Sequence, residues 1–215
     1  MGFWSGLCSF VSGVCGAIGG AIGGALGIAA TAIAGLVGSP VFGAVVGLIS
    51  LVSTVIGLTK KDEKQEGLGA KASLTDKKPQ DFDSYQAYID HLSNDIKLTP
   101  EIKDRLKNDE SFKNECTAMG ASLQWYGLNE KMGINMDIPS LVKLVEAGVK
   151  TPEQFQTIAN TFKSKEVEPK INDAIERNIP MKEGAKIVDT LKEGVDKVEG
   201  SKEIWEKLDK MLDEM

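Results

Sequence analysis

No Lys, Arg, Asp or Glu occurs before Lys60. A charge-free run of 59 residues, in a chain that is 26% charged overall, constrains the fold more than any other feature. Such a run must satisfy its backbone groups internally wherever water is excluded, which points to helix. It is far longer than the roughly 20 residues that one membrane span needs. Val37-Gly38-Ser39-Pro40 supplies a break, because glycine frees the backbone and proline pushes its predecessor out of the helical region. The expected product is a membrane-inserting helical hairpin over residues 1–59, its first arm ending at Leu36 and its second running from Val41 to Leu58.

Glycine spacing gives that hairpin its surfaces. Gly16, Gly20 and Gly24 form one i,i+4 row, and Gly19, Gly23 and Gly27 form a second row beside it. Gly35, Ser39, Gly43 and Gly47 continue a small-residue ladder that Pro40 interrupts. In water each glycine weakens a helix by about 1 kcal/mol relative to alanine, whereas in lipid the helix persists and small residues become contact surfaces. The rows therefore predict a glycine zipper: one side takes the second arm, and the other takes a neighbouring copy in a homo-oligomer.

Trp4 is expected at the membrane interface, and Lys60 and Lys61 against anionic lipid heads. Two spans leave both termini on one side, and the lysines after Leu58 favour the cytoplasm. In length and in its Ala/Gly/Ile/Val character this N-terminal quarter resembles the hydrophobic hairpin of pore-forming colicins, which implies insertion from a soluble form. The same composition also suits a packed core in a larger particle. No positive n-region precedes the apolar run, so it does not read as a secretory signal, and Gly6 breaks the myristoylation pattern. Cys8 and Cys15 share a helix face two turns apart, too far to bridge each other.

Residues 60–80 hold six lysines and four acids, with Gly67, Gly69 and Pro79, and read as a flexible linker. From Gln80 onward there are 27 acids and 19 bases, a balance that disfavours nucleic acid as a partner. Residues 81–215 are expected to form an acidic, soluble, multi-helix domain, so the chain as a whole reads as all-α. Thr99-Pro100 and Thr151-Pro152-Glu153-Gln154 are helix starts, the latter a capping box. Apolar residues recur at threes and fours through Tyr85–Leu92, Phe112–Tyr126, Phe155–Phe162, Ile187–Val195 and Ile204–Leu212.

Chemistry is sparse. His91 is the only histidine, expected at the surface, and neither HExxH, CxxC, Gly-x-Ser-x-Gly nor a phosphate loop occurs. The residues imply no catalytic site, no cofactor and no metal, and an enzyme is not expected. The expected function is a membrane-inserting protein that oligomerises through its glycine rows into a pore, channel or conduit, as toxins and virion proteins do. The other expectation is a membrane-anchored scaffold whose helical domain binds a protein partner through Trp125, Tyr126 or Trp205.

Overall fold

The computed structural model describes residue 13 and residues 20–213, and their regular secondary structure is entirely helical. The helices are α1 (Gly20–Gly35), α2 (Pro40–Val55), α3 (Gln65–Ala72), α4 (Tyr85–Asn94), α5 (Pro100–Asn108) and α6 (Glu110–Met132). Then follow α7 (Ile138–Ala147), α8 (Pro152–Ser164), α9 (Ile171–Ile175), α10 (Met181–Val195) and α11 (Ser201–Asp213). Contacts divide them into two units: one holds the described residues up to Phe42 with Ser53–Leu128, and the other holds Gly43–Val52 with Asn129 onward.

In the first unit the decisive packing is backbone on backbone. A Cβ on Gly69 of α3 would overlap the Cys116 carbonyl oxygen and lie 2.8 Å from the Gly120 nitrogen. A Cβ on Gly120 of α6 would overlap the Gln65 carbonyl oxygen. Each glycine thus makes the room that the other helix occupies. Beside this crossing, buried Gln65 donates through Nε2 to Gln124 Oε1 at 2.6 Å, and Gln124 Nε2 donates to Thr59 Oγ1 at 3.2 Å. Polar groups in such a place must be paired, because an unmade hydrogen bond there costs about 1–3 kcal/mol. Tyr85 Oη closes a further link, donating to the Leu123 carbonyl at 2.9 Å.

Phe112, Cys116 and Ala70 form a buried cluster covered by Leu98, Ile102 and Leu106, with the Arg105 guanidinium 3.8 Å above the Phe112 ring. Burial, reinforced by the adjacent Glu115 carboxylate, pushes the Cys116 thiol up to about 12. The reactive thiolate is therefore scarce at neutral pH. In a Cys8→Ser, Cys15→Ser background, Ellman's reagent at pH 8 is expected to leave Cys116 unlabelled in the native protein and to label it fully in denaturant. Prompt native labelling would show that the cluster opens.

Burial also raises the carboxyl of Glu115 above its usual value, and Ser111 Oγ, 3.4 Å away, offsets this only in part. Below the ordinary carboxylate range both folded and unfolded forms are protonated. As pH climbs towards the raised native value, the unfolded chain ionises first, and stability falls until the native group also ionises. Glu115→Gln is expected to be more stable than the parent at pH 7 and to converge with it near pH 4, measured by urea denaturation at both pH values.

The second unit is built around α8. Thr151 Oγ1 accepts from the Gln154 amide at 3.2 Å, while Gln154 Oε1 accepts from the Thr151 amide at 3.2 Å, completing the capping box. Phe155, Ile158, Ala159 and Phe162 are fully buried along one face, and Ile187, Leu191 and Val195 form the buried stripe of α10 packed against this helix. At Gly194 the two helices come so close that a Cβ would lie 3.1 Å from the Ile158 Cα. α11 buries Ile204 and Leu208 and packs on α7. Asp137 caps α7 by accepting from the Ser140 amide at 2.7 Å.

Several expectations need correction. Among the described residues no helix is long and apolar enough to cross a membrane, which overturns the two-span placement with both termini in the cytoplasm. Of the two expected arms, the first is described only from Gly20, as α1, and the second is α2, which has 16 residues. The 16 residues of α2 rise about 24 Å, short of the roughly 30 Å hydrocarbon core. Gly38, at φ +85°, and Gly57, at φ +67°, turn the chain on either side of α2. Val45, Leu48, Ile49 and Val52 of α2 are buried within the protein itself. Residues 60–80 are not merely a tether, since they contain α3, whose Leu68, Gly69, Ala70 and Ala72 are buried.

Candidate interaction groove

α2 begins at Pro40, a residue suited to the first helical position because it has no amide hydrogen to leave unpaired. Its buried positions 45, 48, 49 and 52 follow the i, i+3, i+4, i+7 pattern of a core-facing stripe. Away from that stripe stand Gly43, Ala44, Gly47 and Leu51, the last 52% exposed. Gly43 and Gly47 occupy ordinary helical backbone, and among the described residues a Cβ on either would meet nothing within 4 Å. They differ in kind from Gly69 and Gly120, which the intramolecular packing requires.

The open face of α2 lines a groove of about 380 Å³. Gly43, Ala44, Gly47 and Leu51 contribute from α2, and Val145 and Val149 contribute from α7 and the turn after it. That turn is set by Gly148, whose φ of +111° allows the Gly148 and Val149 amides to donate to the Val145 and Leu144 carbonyls, ending α7. Lys150 is the one charged residue in the lining among the described residues. Apart from Lys150 the residues that line it are Gly, Ala, Leu and Val, which gives an apolar surface with a floor low enough for another helix to approach to backbone distance.

Two other clefts lie in this unit. One of about 670 Å³ is lined by Lys150, Glu153, Gln154, Lys197, Glu199 and Glu203 among others. Of its lining residues, Gln154 is already engaged, its Nε2 donating to the Glu199 carbonyl at 2.9 Å. The other, beside Gly133, Lys163 and Pro169, has Lys163 Nζ donating to the Met132 carbonyl at 2.7 Å. Among the described residues no group of three or more His, Cys, Asp or Glu is placed to hold a metal ion.

The remaining sequence candidates are scattered. Gly16, Gly19 and Trp4 lie outside the described residues, as do Cys8 and Cys15. Gly20 is the first described residue of α1, Gly23 is buried, Gly27 is half-buried, and Gly24 is exposed with no described residue within 4 Å of a Cβ placed there. Lys60 donates to the Asn94 side chain, and Lys61 is exposed. Trp125 is 3% exposed and so belongs to the interior, rather than to a binding surface. Tyr126 is half-buried with its ring 4.8 Å from Tyr85, and Trp205 is half-buried beneath Lys192 Nζ at 5.3 Å.

His91 is mostly covered, with 18% of its side chain exposed, rather than a free surface group. Its Nδ1 lies 2.8 Å from Asp95 Oδ2, its ring is 5.1 Å from Phe82, and its buried Nε2 has no partner among the described residues. Leu51, Val145 and Val149 are groove residues that were not expected from the sequence. The i,i+4 spacing of Leu51 from Gly47 was the available signal; the two valines come together with α2 only in the fold.

Comparison with known protein families, curated proteins and solved structures finds no match to the chain.

Proposed function

We propose that this protein is a non-catalytic, helical self-assembly protein whose copies associate through the glycine-floored groove of α2. The observation that carries the reading is the open space over Gly43 and Gly47. Each costs α2 roughly 0.5–1 kcal/mol relative to alanine. Neither is required by a left-handed backbone or by a close neighbour among the described residues. A second helix approaching to backbone distance gives both glycines a use.

The spacing on α2 favours a second copy as that helix. Gly43 and Leu51 stand four residues on either side of Gly47, about 6 Å along the axis each way. In an antiparallel pair centred on Gly47, Leu51 of each copy falls over Gly43 of the other, bulk over gap. Such an isologous arrangement closes on itself. It keeps oligomerisation through glycine-bearing helices from the sequence reading and gives up the two spans on which a membrane conduit depends.

Sedimentation equilibrium of the full chain tests this directly. Wild type is expected to dimerise, and Gly47→Leu, which has room in the isolated chain, is expected to be a folded monomer by circular dichroism. Gly47→Cys in the Cys8→Ser, Cys15→Ser background is expected to cross-link symmetrically on oxidation. A wild type that stays monomeric up to about 100 µM would overturn self-association, and a dimer untouched by Gly47→Leu would move the contact elsewhere.

A further inference from the structure

We draw no further inference here: the strongest candidate, the uncharged face of α1 that exposes Gly24, Ile28 and Thr31, is an unpartnered stripe of small and apolar residues, and nothing in the structure shows what covers it.

Discussion

Gly120→Ala is expected to lower the unfolding free energy by about 3 kcal/mol or more, the upper range for overpacking. The new methyl group would fall on the Gln65 carbonyl, which is backbone and cannot rotate aside. To admit it, α3 must move off α6. That movement also stretches the buried Gln65–Gln124–Thr59 hydrogen-bond chain beside the crossing. Gly69→Ala should act the same way, because its Cβ falls on the Cys116 carbonyl. The two losses should not add, since either substitution alone separates the same helices. Chemical denaturation of the single and double variants measures both the size and the shortfall from additivity. Gly43→Ala is the control: in open helix it should stabilise the isolated chain by roughly 0.5–1 kcal/mol. Equal effects at Gly43 and Gly120 would refute the packing described.

Phe162→Ala is expected to cost about 3–5 kcal/mol, the transfer and cavity terms for a large aromatic side chain in a closed core. Phe162 is completely buried on α8, and its neighbours on that face, Ile158 and Ala159, are equally covered. Close approach of α8 and α10 at Gly194 restricts how far the seam can collapse into the void. The measurement is the urea midpoint, with the slope checked to ensure that the unfolding transition remains two-state. Phe162→Leu should recover a large part of the loss, as a volume-sparing change does. If Phe162→Ala loses less than about 1 kcal/mol, that face of α8 is not a closed core.

Much of the helical order could be read from local chemistry. Thr151-Pro152-Glu153-Gln154 starts α8 and Thr99-Pro100 starts α5, because a hydroxyl acceptor followed by proline satisfies the first turn wherever it occurs. Gly148 ends α7 for an equally local reason, its left-handed backbone. α3 was not legible in the same way. It has 8 residues with little apolar periodicity, and it is held by Gly69 and Gly120, which are distant in sequence.

The charge-free run misled for a different reason. A helix buried in protein and one buried in lipid draw on the same residues, so Val45, Leu48 and Ile49 carry no mark of which surroundings they occupy. Trp125 and Trp205 posed the same problem on a smaller scale. An aromatic ring serves a core or a surface, and only the neighbouring helices decide. The groove was half-legible: its glycine floor could be seen as a spacing, but the wall formed by Val145 and Val149 lies about a hundred positions further along the chain.

Gly38 and Gly57, the left-handed residues that bracket α2, fix more than its length. They set its rotational phase. One residue inserted at the start of α2 would turn everything beyond it by about 100° about the helix axis. Val45, Leu48, Ile49 and Val52 would swing away from the interior, and a different set of residues would face it. A substitution here alters one contact, whereas a change in length alters the facing of every residue beyond it and has to arrive with a compensating one. The stretch between the two glycines is a fixed-length cassette, in which the number of residues decides which side chains reach the interior.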